Sequence, residues 1–113
     1  MGIIANKKLK PEENDEEIFT VSDINKIIHE PARLLIVSLL YVVEESDFIF
    51  LRTQTKLTDG NLSSHISRLE NEGYVNVEKI PKGKKTQTRL SLTDAGRKAF
   101  ENYRKKISQV LNP

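Results

Sequence analysis

The stretch TDGNLSSHISRLENEG, residues 58–73, decides the fold of this chain. Its apolar residues Leu62, Ile66 and Leu69 recur at i, i+4 and i+7. That spacing is typical of a single buried stripe on an α-helix, because residues three or four apart lie on one helical face. The stretch therefore predicts an amphipathic helix that buries one side and exposes the other.

The ends of this helix are marked by residue type. Thr58 and Asp59 can accept hydrogen bonds from the first backbone N–H groups, which lack partners within a helix. Gly73 follows the last apolar position and suits the positive φ at which helices often end. We therefore expect a helix over residues 60–72.

The helix face that points away from the stripe is unusual in its residue types. Asn61, Ser64, His65 and Arg68 share that face, where a solvated helix normally carries Glu and Lys. Ser and Asn are mediocre helix formers, so helix stability does not explain why they occur on this face. Short donors and acceptors with one Arg suit base edges and phosphates in a DNA major groove. A polar face that merely contacts solvent is the alternative.

Composition restricts the class of protein. A chain of 113 residues, 37% hydrophobic and 30% charged, is expected to form one globular domain. No apolar run approaches the roughly 20 residues of a membrane span, and the N-terminus lacks the layout of a secretion signal. The absence of Cys excludes disulfides, a thiolate nucleophile and Cys-ligated zinc. We expect a cytoplasmic protein.

Charge is distributed unevenly along the chain. Residues 1–55 hold six Lys or Arg and ten Asp or Glu, which gives 6 − 10 = −4. Residues 56–113 hold the other twelve bases and six acids, which gives 12 − 6 = +6. That asymmetry indicates a polyanionic partner for the second half of the chain.

Residues 1–20 are expected to form a poorly ordered arm before a domain over residues 21–113. They hold few apolar residues and carry an acidic run from Glu12 to Glu17. Contact of this arm with a partner subunit or a DNA minor groove is the alternative to a solvated tail. The acidic run argues against DNA, because phosphates would repel it.

The domain is expected to open with a short helix. Ser22 and Asp23 offer an N-cap for it, and Ile24, Ile27 and Ile28 would share one of its sides.

A helix-turn-helix is predicted next. Pro31 suits the first turn of a helix, and residues 32–43 are apolar nearly all round, which predicts a buried central helix with some surface available to a second subunit. A brief strand at residues 47–48 and a helix over residues 49–56 should follow. The Gly-containing segment 58–60 would then connect to the helix described first.

Beyond Gly73 the pattern changes from helical to alternating. Residues 74–80 and 86–92 predict two strands, joined by the turn sequence of residues 81–85. Such a hairpin after a helix-turn-helix forms a wing. Its cations are Lys79, Lys82, Lys84, Lys85 and Arg89. They suit phosphate contacts, although lysines at a hairpin tip also serve solubility or protect a sheet edge.

A terminal helix is predicted over residues 93–111, with Thr93 as its N-cap. Its apolar stripe consists of Ala99, Phe100, Tyr103, Ile107, Val110 and Leu111. The stripe could be covered by the central helix, by the same helix of a second subunit, or by both.

Several segments in unbroken order carry a family likeness, namely residues 27–34 (IIHEPARL), 50–51 (FL), 57–65 (LTDGNLSSH), 69–75 (LENEGYV) and 92–96 (LTDAG). Over residues 22–108 the chain resembles a small group of prokaryotic winged-helix transcriptional regulators related to the MarR and ArsR proteins. The block from residue 57 to residue 74 is its most specific part.

The resemblance implies a mainly α (α+β) fold, a winged helix-turn-helix with a C-terminal dimerisation helix. It also implies a homodimeric, sequence-specific repressor or regulator that binds double-stranded DNA, with helix 60–72 in the major groove and hairpin 79–89 on the backbone. The residues expected to contact DNA are Thr58, Asn61, Ser63, Ser64, His65, Arg68, Lys79, Lys82, Lys84, Lys85 and Arg89. Those expected at the dimer interface are Phe100, Tyr103, Ile107, Val110 and Leu111.

The ligand sites of the related families do not carry over. The chain has no Cys, and His29 and His65 have no ligand-spaced partner, so we expect no metal and no cofactor. The chain also lacks the additional helices that build a MarR-type ligand cleft. A small-molecule effector is not specified by the sequence.

Two other functions compete with DNA binding. An enzyme is disfavoured, because neither His accompanies a nucleophile pattern and no Gly-rich phosphate loop is present. A winged helix that mediates protein–protein contact in a transcription or chromatin assembly is the stronger alternative. Such a surface should carry acids or exposed apolar residues, whereas this hairpin tip carries three lysines and no acid.

Overall fold

The structure, a computed structural model, describes residues 20–112. In that range the chain forms four α-helices and a three-stranded antiparallel sheet. The elements are α1 (Pro31–Val43), β1 (Glu45–Asp47), α2 (Phe48–Thr55), α3 (Asp59–Asn71), β2 (Val75–Lys82), β3 (Lys85–Leu92) and α4 (Asp94–Leu111). This order confirms the winged helix-turn-helix. The predicted arm, apart from Thr20, lies outside the described residues.

The prediction of a helix around Ile24, Ile27 and Ile28 is wrong. A 3-10 helix spans Val21–Asp23, and the chain then turns without forming an α-helix. Asn25 begins a single turn instead: its side-chain oxygen accepts hydrogen bonds from the backbone N–H groups of Ile27 (3.0 Å) and Ile28 (3.1 Å), and its carbonyl accepts that of His29 at 2.8 Å. The turn does not continue, because Pro31 disfavours the helical conformation in the residue before it and Glu30 is extended. Ile28 is nevertheless fully buried.

Helix α1 is the centre of the core, as predicted. It begins at Pro31, and the Glu30 side chain caps it by accepting a hydrogen bond from the backbone N–H of Arg33 at 2.8 Å. Its fully buried residues are Ile36, Val37 and Leu40. The other helices and the sheet gather around this apolar helix.

Helices α2 and α3 form the helix-turn-helix, with one correction to the predicted connection. The Thr58 hydroxyl accepts the backbone N–H of Asn61 at 3.1 Å, so α3 already begins at Asp59. Gly60 therefore lies inside α3 and not in the turn. The residue that adopts the left-handed conformation in the turn is Lys56, with φ 59°.

Strand β3 lies in the middle of the sheet, between β1 and β2. Val77 pairs with Leu90 across the hairpin, and β1 places the buried Ser46 opposite the same Leu90. The hairpin loop has only two residues, and its first, Gly83, takes φ 64°, which two-residue hairpin loops require. The strands therefore extend further toward the tip than predicted.

Helix α4 packs on α1 of the same chain. The central helix therefore covers part of the apolar stripe of α4. The ring centroids of Tyr41 and Phe100 lie 5.0 Å apart, and the Tyr103 hydroxyl lies 2.6 Å from Nδ1 of His29. Burial raises the pKa of Tyr103, so this hydroxyl keeps its proton. His29 thus has a structural contact with the terminal helix.

The start of α4 is held against the segment that follows α3. The Thr93 side chain accepts the Gly96 N–H at 2.9 Å and donates to the Gly73 carbonyl at 2.6 Å. The Thr93 N–H donates to the Tyr74 carbonyl at 3.0 Å. A Cβ atom at position 96 would overlap that same Tyr74 carbonyl oxygen. Glycine at this position permits the close approach of the two segments.

Replacing Gly96 by Ala is expected to lower the free energy of unfolding by about 1–3 kcal/mol, because the added methyl group overpacks the contact with Tyr74. Gly60→Ala is the matched control, since a Cβ there meets no atom within 4 Å. Ala is the better helix former, so Gly60→Ala should leave stability unchanged or raise it by up to about 1 kcal/mol. Urea denaturation measures both, and equal midpoints would contradict this account of Gly96.

Candidate nucleic-acid interface

The polar face of α3 is exposed because the opposite face is committed to the core. Leu62 and Leu69 are fully buried and Ile66 is nearly so. Most of the residues predicted to contact DNA from this helix are exposed, namely Asn61, Ser63, Ser64 and Arg68. Asn71, which the helical spacing places one step further along this face, is exposed as well, and the structure adds one exposed polar residue that the sequence analysis did not include, Ser67. Together they form a continuous surface of short hydrogen-bonding groups.

Thr58 is exposed at the start of α3, but its oxygen has a structural task. It accepts the Asn61 N–H and so defines the first turn of the helix. Beside it, Asp59 pairs with Arg52 of α2 at 3.1 Å. That pair compensates the only acid in the first turn of α3.

His65 differs from its neighbours, since it is only 24% exposed and points toward α1. Its Nδ1 atom lies 3.2 Å from Nη1 of Arg33, a distance at which the guanidinium can donate a hydrogen bond to the imidazole nitrogen. Glu30 Oε1, at 3.8 Å, is beyond hydrogen-bonding distance. Arg33 also donates from Nε to the Ile27 carbonyl at 2.6 Å. His65 thus connects α3 to the start of α1.

Arg33 supports the position of His65 but was not identified from the sequence. It stands 32 positions before His65, a separation that no helical or strand periodicity relates. The only available signal was an Arg at the start of an otherwise apolar helix, where a half-buried guanidinium needs acceptors.

The hairpin tip concentrates positive charge without compensating acids. Lys82 and Lys85 lie directly opposite each other in the β2–β3 register, Lys84 occupies the loop, and Lys79 lies opposite Thr88. All four lysines are exposed, and no carboxylate of residues 20–112 comes within ion-pair distance of them. Like charges directly opposite each other destabilise a hairpin. An anionic partner would relieve that repulsion.

Arg89, the fifth predicted cation of the hairpin, has a different environment. Its Nη1 atom forms a 2.7 Å ion pair with Glu45 of β1. Its cross-strand partners are also acids, Glu78 on β2 and Asp47 on β1. Arg89 therefore holds β1 to the hairpin, and its charge is compensated within the protein.

The residues predicted at a dimer interface fall into two groups. Phe100 and Tyr103 are buried in the core of the single chain, each 7% exposed. Ile107 is half-buried, whereas Val110 and Leu111 are 51% and 71% exposed. The exposed end of the stripe borders a shallow groove of about 340 Å³ between α1 and α4. Among the residues predicted at the interface, only those at this end of α4 are exposed, although Leu35 and Val42 of α1 also expose apolar surface.

Other kinds of site find little support in the described part of the chain. No three or more His, Asp or Glu side chains of residues 20–112 are placed to hold a metal ion. Among the helices that the structure describes, none has both the length and the apolar composition needed to span a bilayer.

Comparison with known proteins relates the chain to DNA-binding regulators. Residues 32–111 match the sequence model of a family described as winged helix DNA-binding domain. An uncharacterized protein of Methanocaldococcus jannaschii is 38% identical over 85 residues, which are 75% of this chain and 92% of that protein. A transcriptional regulator homologue from Pyrococcus horikoshii has a TM-score of 0.74 at 28% identity, over 89% of this chain and 95% of its own.

More distant structures share the fold. A mutant of the Escherichia coli protein MarR, solved in complex with operator DNA, has a TM-score of 0.56 at 18% identity. The match covers 88% of this chain and 64% of that one.

Replacing His65 by Ala is expected to lower the free energy of unfolding by about 1 kcal/mol, because the hydrogen bond between the imidazole and Arg33 is removed. Ser64→Ala is the control on the same helix, since its side chain is exposed, and its effect should stay within about 0.5 kcal/mol. Urea denaturation of the two variants compares them. If the two variants have the same urea midpoint, His65 does not hold α3 in place.

Proposed function

Because the chain belongs to the family of winged helix DNA-binding domains, we propose that it is a cytoplasmic, sequence-specific transcriptional regulator that binds DNA as a homodimer and represses. In this proposal α3 enters the major groove of double-stranded DNA. The β2–β3 hairpin lies along the adjacent backbone.

One observation carries the proposal. Helix α3 exposes short hydrogen-bonding side chains along its outer face, and the hairpin that follows it ends in lysines that form no ion pair with any acid of residues 20–112. A groove about 12 Å wide admits an α-helix, whose side chains then reach base edges. Lysines bind phosphates without regard to sequence. The two surfaces therefore suit the two kinds of contact that a regulator needs.

The contacts divide by chemistry. Asn61, Ser64 and Arg68 are exposed and suit base edges, with Arg68 also able to bind a phosphate. His65 can reach DNA only through the ring atoms that face away from Arg33. The lysines of the hairpin bind phosphates. Arg89, which is paired with Glu45, contributes less than they do.

Two subunits are needed to read a near-palindromic operator. Half-sites about one helical turn apart, ~34 Å, match two recognition helices related by two-fold symmetry. The exposed Val110 and Leu111 at the end of α4, together with the half-buried Ile107, supply the contact between subunits in this proposal. The MarR mutant, which has the same fold and was solved in complex with operator DNA, supports the expectation that this fold can bind a duplex.

The experiment that tests the proposal selects duplexes from a random pool and measures the mass of the free protein. A palindromic consensus and a mass near twice 12.9 kDa are the expected results. If no duplex is enriched, DNA binding is wrong, and the alternative of a protein-binding winged helix takes its place. A consensus without symmetry, together with a monomeric mass, would contradict the homodimer only.

Replacing Lys84 and Lys85 by Ala is expected to weaken binding to all duplexes alike. The slope of log K against log salt should flatten by about one unit for each lysine that no longer binds a phosphate, because fewer counterions are released. Arg89→Gln is the matched control, and it should change the slope less, because Glu45 compensates that charge. Fluorescence anisotropy over a range of KCl concentrations measures the slopes. Equal slope changes in the two variants would contradict the distinction.

Replacing Asn61 or Ser64 by Ala should instead change which sequence is preferred. Each base-edge hydrogen bond that is removed is expected to reduce discrimination at one operator position by ~1–3 kcal/mol. Repeating the selection with each variant shows which position is relaxed. A uniform loss of affinity, with the consensus unchanged, would place these residues on the backbone and not on the bases.

A further inference from the structure

The turn between α2 and α3 contains a lysine in an unfavourable backbone conformation. Lys56 has φ 59° and ψ 23°, the left-handed region that side chains with a Cβ atom rarely occupy. Helices commonly end in this conformation, but with Gly or Asn at the position. Lys56 therefore stands where a glycine would be less strained.

Within the described residues, the side chain of Lys56 forms no interaction that would offset the cost of this backbone conformation. It is exposed, and among residues 20–112 it has neither an ion pair nor a side-chain hydrogen bond. The backbone conformation is imposed by its surroundings, because the Lys56 N–H donates to the Arg52 carbonyl at 2.9 Å and the next residue, Leu57, packs against the core. A strained residue whose side chain does nothing inside the protein is a candidate for a role outside it.

The position of Lys56 indicates what that role is. In a helix-turn-helix the second helix occupies the major groove while the first crosses the backbone, so the turn between them lies over phosphates. Lys56 comes two residues before Thr58, the N-cap of α3, whereas the lysine-tipped hairpin begins after the opposite end of that helix. The ion pair between Arg52 and Asp59 bridges this turn and compensates the nearby acid.

We propose that Lys56 is a further DNA-binding residue, which binds a backbone phosphate at the N-terminal end of α3, away from the hairpin. The inference rests on the proposed function, because it assumes that α3 enters a major groove. In this role Lys56 contributes binding affinity that does not depend on the DNA sequence. The protein then holds the backbone near both ends of its recognition helix.

Glu44 provides an internal comparison. It is the only other residue besides glycine with positive φ in the described chain, at 70°, and it is exposed at the end of α1. Positive φ alone therefore does not mark a DNA contact. Lys56 differs from Glu44 in its charge and in its place within the helix-turn-helix.

The test compares Lys56→Gly with Glu44→Gly. Both substitutions relieve the backbone, so both should raise the thermal unfolding midpoint by about 2–8 °C. Only Lys56→Gly should weaken binding to a short labelled duplex of mixed sequence, by roughly tenfold, and flatten its salt slope by about one unit. Lys56→Arg keeps the charge and should retain both affinity and slope. Lys56→Asn, which tolerates the left-handed conformation without the charge, replaces the glycine variant if that variant folds poorly.

The outcomes separate this inference from the proposed function. If Lys56→Gly binds with the affinity and slope of the unmodified protein while Lys84→Ala shows a flatter slope, the assignment of Lys56 is overturned and DNA binding stands. If the unmodified protein shows no salt-dependent binding to the mixed duplex, both are overturned. A variant that is more stable yet binds more weakly supports the inference, because a purely structural role would move stability and affinity together.

Discussion

Burial of Leu62, Ile66 and Leu69 in the core is the constraint on which the rest of the structure depends. Each side chain removed from water contributes about 1.5–3 kcal/mol, so a rotation of α3 about its axis would forfeit most of what stabilises its docking. The orientation of the buried side fixes the orientation of the opposite one. The packing of these three residues therefore decides which face of α3 is exposed, and the exposed side chains themselves play no part in that orientation.

The elements on either side of α3 are held to it by short polar contacts at its ends. Thr58 defines where the helix begins, and Thr93 connects the segment after its end to α4. The central strand β3 then carries the hairpin outward from the buried Leu90, which pairs with the half-buried Val77. Because these contacts involve backbone atoms, they fix α3 and the hairpin relative to one another without using the side chains that face outward.

Electrostatic compensation is selective in this fold. Two arginines that flank the candidate interface have acid partners, Arg52 with Asp59 and Arg89 with Glu45. The hairpin lysines lack such partners among residues 20–112. Exposed ion pairs contribute little to stability, typically below about 1 kcal/mol. The main effect of these two pairs is therefore on the electrostatic potential at the protein surface. Positive potential is concentrated at the hairpin tip, where it can attract a polyanion.

The sequence by itself determined the four α-helices, the N-caps of α3 and α4, and the hairpin, because periodicity, N-capping and tight turns depend on residues within about four positions of one another. It failed at residues 24–28, where Asn25 caps only a single turn and the extended Glu30 before Pro31 ends it, although the isoleucine spacing favoured a helix. Only the tertiary structure decided that His65 contacts Arg33, that Arg89 pairs with Glu45 and that Phe100 lies within the chain's own core. Those partners meet only after the helices pack, since no local pattern relates residues so far apart in the chain.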